Sequence, residues 1–266
     1  MPVINTEFSK EFYYRKSGSG PAFVLVHGFP ASGSLWYPVA DELAENFTVI
    51  VPDLPGSGLS SLDDTTELDQ MATCIKDVLN HEQIEKAVIA GHSMGGYVAF
   101  AFAAMYPEHT AGLSLVHSTP VTDDDARIQM RRKAIELFKN GGKNAFIRQM
   151  IPTLFAPIFK LNRSHLVEKQ ILESLQLSDN ALVNFYNAMI ERKDYSQWLI
   201  NCSIPVQWLI GLEDNVISYK KLLQHCHKSN INFVTFYPEC GHMSMLEESE
   251  KLKDDLTHFT DVCFLK

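Results

Sequence analysis

The sequence predicts an α/β fold built on one mostly parallel sheet, and three observations predict it. Short apolar runs rich in Val, Ile and Phe recur along the chain, near-continuous rather than alternating, as strands covered on both faces must be. Between them lie stretches with apolar residues at spacings of three and four, the period of helices that bury one stripe. The third observation is size: 266 residues, 45% of them hydrophobic, suffice for one large core with an insertion.

Taken in order, FYYRKSGSG (12–20) reads as an opening antiparallel strand that ends in a Gly-Ser turn. AFVLVH (22–27) is the first buried strand, and Leu35, Val39 and Leu43 mark the helix behind it. FTVIVPD (47–53) is the next strand. It runs into DLPGSGLS (53–60), a Gly-rich turn, and then a helix with Met71, Ile75, Val78 and Leu79 on one face. KAVIAGH (86–92) is a strand and MGGYVAFAFAAMYP (94–107) a helix stopped near Pro107. AGLSLVH (111–117), IPVQWLIG (204–211) and INFVTFYP (231–238) complete the buried strands, and a helix follows ECGHMSMLEE (239–248).

The alternation breaks once, between 120 and 195, where four helical patterns follow each other without a buried strand. Asp123, Asp124 and Asp125 stand where a helix N-terminus favours negative charge, and Gly141–Gly142 stops that helix. The expected division is a core of 1–119 and 196–266 with a helical cap of 120–195. The same helices would also serve as further bundle around the sheet.

Charge and composition remove several classes of function. With 23 Lys+Arg against 32 Asp+Glu the net charge is −9, and no basic run offers a phosphate-binding stripe, so nucleic acid is not an expected partner. No signal-peptide pattern opens the chain and no apolar run approaches the roughly 18 residues that span a bilayer, so no membrane association and a cytoplasmic location are expected. Five cysteines, an odd number without a C-x-x-C pair, read as reduced thiols, and Cys240 as packing beside His242. No H-E-x-x-H or clustered Cys/His set calls for a metal, and the 53–60 turn lacks the Lys-Ser/Thr of a phosphate-binding loop. No cofactor is expected, and the chain is expected to act as a monomer or homodimer.

The chemistry is carried by AGHSMGG, which places Ser93 inside G-x-S-x-G at the junction of a strand and a helix. Glycines two residues either side of a serine let strand and helix approach while the turn pushes Oγ outward; a serine that merely caps a helix needs neither. An ordinary hydroxyl is a poor nucleophile and needs a base, itself oriented by an acid. Of ten histidines, His242 follows a strand in a glycine-containing loop, whereas His81 and His109 sit in polar connections and His225 and His227 on an apparent surface helix. LIGLEDNVIS places Asp214, with Glu213 as the alternative, just past another strand, the edge where open α/β sheets hold ligands.

These stretches, LVHGFPASGSLW, VPDLPGSGLS, GHSMGG, GLEDNV and CGHMSMLEE, resemble the α/β-hydrolase fold superfamily over nearly the whole core. The resemblance implies eight strands, a helical cap after the sixth, and Ser93, Asp214 and His242 as a catalytic triad. It also implies an oxyanion hole from the N–H groups of Phe29 and Met94. Within the superfamily the chain is similar to small capped carboxylesterases and 3-oxoadipate enol-lactonase-like hydrolases. Serine at the turn separates it from dehalogenases with aspartate there, and HGFP departs from the HGGG of another esterase branch. The expected reaction is hydrolysis of a carboxylic ester or lactone of a small, mainly apolar molecule through an acyl-enzyme. Aminopeptidase, C–C hydrolase or lyase chemistry on the same residues, or a slow ligand sensor, are the alternatives; Glu168, Glu173 and Glu191 are the residues that would hold a peptide amine. Expected pocket residues are His27, Gly28, Trp36, Tyr97, Phe138, Phe146, Phe155, Phe185 and Met189. Arg127, Arg131, Arg132 and Arg148 would serve an anionic substrate but otherwise read as solvated helix positions.

Overall fold

Eight strands, β1 (Val3–Ile4), β2 (Phe12–Ser17), β3 (Ala22–Val26), β4 (Thr48–Pro52), β5 (Ala87–His92), β6 (Thr110–Val116), β7 (Val206–Gly211) and β8 (Asn232–Tyr237), form one sheet in the order β1-β2-β4-β3-β5-β6-β7-β8. The computed structural model describes residues 1–63 and 67–265. β1 and β2 are antiparallel, with Val3 opposite Tyr13 and Tyr14 opposite Pro52, and every pair from β4 to β8 is parallel. Every residue of β3, β5, β6 and β7 is buried, which is the physical reason for their unbroken apolar runs. β8 lies at the edge and alternates, with Val234 and Phe236 exposed. The two-residue β1 is too short to leave a pattern in the sequence.

Helices α1 (Tyr37–Leu43), α2 (Leu68–His81), α3 (Met94–Met105) and α11 (Ser249–Phe264) cover the sheet, α1 packing with α11 and α2 with α3. Met94 through Ala103 are all buried, so α3 is apolar all round, as a helix wedged between sheet and neighbour must be. Between β6 and β7 the chain inserts α4 (Asp125–Lys139), α5 (Lys143–Met150), α6 (Pro157–Asn162), α7 (Ser164–Ser174) and α8 (Asp179–Glu191). The Asp124 carboxylate accepts from Arg127 N–H at 2.9 Å and caps α4; Ser178 caps α8 through Ala181 N–H. Asp123 differs from the expectation that it serves the helix end, because it turns inward to three arginines. Two short helices, α9 (Tyr219–Leu222) and α10 (Ser244–Glu247), complete the fold. Because α9 ends at Leu222, His225 and His227 lie in turns rather than on a helix. Among the described residues no helix is long and apolar enough to cross a membrane.

The strand order places the site. β3 has β4 on one side and β5 on the other, so the chain leaves β3 in one direction and later returns to its opposite flank. The loops after β3 and β5 therefore diverge and leave a crevice at the carboxyl ends of the strands.

Candidate active site

β5 ends at His92 and α3 begins at Met94, so Ser93 alone makes the reversal, with φ 52° and ψ −115°. A positive φ is costly for a serine and persists where neighbours over-determine it. Here Ser93 N–H donates to Val116 O at 3.0 Å, and Ser118 Oγ donates to Ser93 O at 2.8 Å. The flanking glycines are required by contact: a Cβ on Gly91 would lie 2.1 Å from Gly95 O, and one on Gly95 would lie 2.3 Å from Val26 O. Strand and helix approach within a distance that no side chain allows. Met94 N–H is the first of the helix, where no intrahelical acceptor exists. Neither it nor Phe29 N–H donates to a turn or loop carbonyl among the described residues.

Asp214 follows β7 and is fastened by its own backbone, Oδ1 accepting from Val216 N–H at 2.7 Å and Ile217 N–H at 3.0 Å. Its Oδ2 accepts from His242 Nδ1 at 2.7 Å, with both side chains 2% exposed. Burial alone would raise the Asp214 carboxyl. The attraction and hydrogen bond of His242, with His117 and Ile217 N–H behind them, outweigh it and hold the carboxyl at about 2. Glu213, the alternative acid, is exposed. His242 is seated by its backbone: its N–H donates to Leu154 O at 2.7 Å, and its carbonyl accepts from His92 Nε2 at 2.8 Å. Glu247 straps the same loop, accepting from Gly241 N–H at 3.1 Å, Met243 N–H at 3.0 Å and, from the insertion, Ala156 N–H at 2.8 Å. Among the described residues no hydrogen bond joins Ser93 Oγ to His242, but both line the same cavity.

Two further histidines stand behind this pair. His92 and His117 are buried, and burial pushes both imidazoles down, His117 to about 3, so both are neutral at physiological pH. His117 Nδ1 accepts from Gly211 N–H at 3.2 Å and lies 3.7 Å from Asp214 Oδ2. Both follow the sequence signal used for the others, a polar residue at the end of a buried strand.

The cavity measures about 320 Å³ and opens between the sheet edge and the insertion. Phe29, Tyr97, Phe146 and Met189 line it, as does Met94's neighbour Ser93. The remaining expected pocket residues are corrected by the structure. Trp36, Phe138, Phe155 and Phe185 are fully buried among apolar neighbours and do not line the cavity, because their rings fill the layers beneath it. Phe185 stands behind Phe29, the two rings edge to face with their centres 6.4 Å apart. His27 points away: Nε2 accepts from Leu54 N–H at 3.0 Å, so this histidine ties β3 to the 53–60 turn, and burial lowers its basicity. Gly28 packs against the turn from behind, where a Cβ would meet Ser93 Cβ at 3.0 Å.

The arginines divide differently from the sequence reading. Arg132 is exposed and Arg148 pairs with Glu168 at the surface, while Arg127 and Arg131 line the cavity. Glu173 and Glu191 do not line it either. Tyr186, Met130, Met150, Thr153 and Asn215 line it without having been anticipated. Asn215 directly follows Asp214, and that adjacency was the available signal; the others depend on how the insertion folds back.

Comparison with known proteins agrees with this architecture. Residues 21–249 match the family described as alpha/beta hydrolase fold. A pimeloyl-[acyl-carrier protein] methyl ester esterase of Pseudoalteromonas atlantica is 27% identical over 256 residues, 92% of this chain and 96% of that protein. A thermophilic esterase of Thermogutta terrifontis, solved with malate bound, superposes with a TM-score of 0.91 at 29% identity, covering 96% of this chain and 94% of the other. The enol-lactonase of Burkholderia xenovorans LB400 shares the fold at 17% identity, with a TM-score of 0.89 over 97% of this chain and 99% of that one. With the sheet order, the strained serine turn and these likenesses together, the chain belongs to the α/β-hydrolase fold family.

Proposed function

We propose that the protein hydrolyses carboxylic esters or lactones of small molecules, with Ser93 as nucleophile, His242 as base and Asp214 as the group that orients it. The observation that carries this reading is the 2.7 Å bond from His242 Nδ1 to Asp214 Oδ2 in a cavity that also holds Ser93. That bond fixes the proton on Nδ1 and leaves Nε2 as the free acceptor. On approach of an ester, His242 takes the Ser93 proton as Oγ attacks the carbonyl carbon. The oxyanion is received by Phe29 N–H and Met94 N–H, at the N-terminus of α3. Collapse returns the proton from His242 to the departing alcohol, and water then attacks the acyl-enzyme with His242 as base again.

The insertion, 120–195, acts in this reading as a cap that supplies most of the acyl- or alcohol-binding wall. The esterase relatives, one of them matched over 96% of its length, support ester substrates over peptide or C–C bonds. The test is a series of p-nitrophenyl esters from acetate to dodecanoate at pH 8, with wild type and Ser93→Ala side by side. Turnover abolished in the variant is the expected result. Turnover of no ester by the wild type, or equal turnover by both proteins, would remove the reading.

A further inference from the structure

We infer that Arg127 and Arg131 make the cap side of this cavity a carboxylate-recognition subsite, so that the preferred ester carries a carboxylate remote from the scissile bond. This rests on the ester-hydrolase reading and narrows its substrate class. Three guanidinium groups converge on the single carboxylate of Asp123: Arg131 Nε at 2.5 Å, Arg192 Nη2 at 2.9 Å and Arg127 Nε at 3.6 Å. Three cations face one anion, and no aspartate or glutamate lines the cavity among the described residues. Of the three, Arg127 and Arg131 line the cavity and Arg192 does not.

The three arginines are not equivalent. Arg192 is 3% exposed and its donors are used on Val121 O, Met189 O and Asp123, with its guanidinium carbon 4.2 Å from the centre of the Tyr97 ring. Its role is to hold the segment that leads into α4 to the end of α8. Arg127 gives Nη1 to Val216 O at 3.0 Å, beside Asp214. Arg131 donates only through Nε among the described residues, and its guanidinium carbon lies 5.1 Å from the centre of the Tyr186 ring. Its two terminal nitrogens keep the planar fork that receives a carboxylate in two parallel hydrogen bonds. Thr153 and Asn215 line the same space and offer neutral hydrogen-bonding groups beside it. An apolar ligand would leave the terminal nitrogens of Arg131 without a partner, whereas a carboxylate completes them.

The experiment compares two p-nitrophenyl esters of equal acyl length, pentanoate and the monoester of glutarate, on wild type, Arg131→Met and Arg131→Lys. The expected wild-type kcat/KM favours the glutarate monoester by roughly tenfold to a hundredfold. That ratio falls towards one in Arg131→Met, mainly through KM, and is partly kept in Arg131→Lys, which retains charge but loses the fork. Calorimetric titration of glutarate itself into Ser93→Ala reads the subsite without turnover. Wild-type hydrolysis of pentanoate with a glutarate preference at or below one overturns the inference and leaves the hydrolase reading intact. Hydrolysis of neither ester removes the hydrolase reading; saturable glutarate binding lost in Ser93→Ala/Arg131→Met would then still support the subsite, and its absence would overturn that too. Should Arg131→Met not fold, the wild-type ratio and the lysine variant decide.

Discussion

Glu247→Ala is expected to cost both stability and turnover, because one carboxyl group holds the His242 loop to the inserted segment. Its Oε2 accepts from Ala156 N–H and Gly241 N–H, and its Oε1 from Met243 N–H, at 2.8, 3.1 and 3.0 Å. Gly241 and Met243 flank His242 on both sides, and His242 N–H is itself bound to Leu154 O of the same inserted segment. Alanine strands three backbone donors. A buried donor without a partner costs about 1–3 kcal/mol, and Glu247 is only partly buried, so water recovers some of the loss. The expected destabilisation is about 3–5 kcal/mol, a large share of the roughly 5–15 kcal/mol that holds a domain folded. For a chain of this length that lowers Tm by on the order of 10 °C. Glutamine keeps one acceptor but turns an NH2 towards a donor, and should lose about half as much. Thermal unfolding and ester kinetics well below Tm measure the two effects; kcat should fall at least about tenfold with KM little changed, since the imidazole rather than the pocket loses its seat. A Glu247→Ala protein whose Tm and kcat both match wild type would refute the strap.

Ser93→Ala should reduce ester turnover by at least roughly a thousandfold while leaving unfolding unchanged, as read by steady-state kinetics and circular dichroism. Asp214→Asn keeps an acceptor for Val216 and Ile217 N–H but removes the charge that selects the His242 tautomer; kcat should drop by on the order of a thousandfold or more, with the melting profile little altered. The folded-state pKa of His117, about 3, lies below its ordinary 6.5, so the unfolded chain takes up the extra proton as pH falls. Its contribution is complete above pH 6.5 and is lost progressively down to pH 3, amounting to about 2 kcal/mol at pH 5, which urea unfolding of wild type and His117→Gln at pH 7 and 5 would detect as a smaller acid loss in the variant. Gly95→Ala should fail to give soluble protein, because the added Cβ would sit 2.3 Å from Val26 O, a backbone atom of the central strand β3.

Much of the architecture is legible in the sequence because its signals are local. Strands buried on both faces write unbroken apolar runs, and a serine between close-packed strand and helix demands glycine at 91 and 95. Asp214 and His242 are legible for a related reason: each is a polar residue in the loop just beyond an apolar strand, the buried β7 for one and the edge strand β8 for the other. The cavity wall is not local. Phe138 and Phe146 lie eight residues apart with rings 5.0 Å from each other, yet only Phe146 faces the cavity. Which of two neighbouring aromatics becomes core is decided by how α4, α5 and α8 cross. Arg131 has the same ambiguity: its spacing suits a solvated helix position, and only the inward turn of Asp123 draws it to the cavity. The two-residue β1 and the short α9 are missed because neither is long enough to show a period.

The contacts between the inserted helices and the core also explain why the sequence of the insertion bears on the geometry of the proposed chemistry. Phe29, whose N–H is proposed to receive the oxyanion, stacks its ring on Tyr186 of α8 at 4.4 Å, and Pro30 O accepts from Ser174 Oγ of α7 at 2.7 Å. On the opposite side Leu154 and Ala156 are bound to the His242 loop through His242 N–H and Glu247. The Phe29 loop after β3 and the His242 loop after β8 are thus each anchored to the inserted segment, while Ser93 and Asp214 are fixed within the core by β5, β6 and β7. Two of the four parts of the proposed chemistry therefore depend on the insertion for position. A substitution in α7 or α8 that loosens Ser174 or Tyr186 acts directly on the loop proposed to receive the oxyanion, whether or not it touches the ligand.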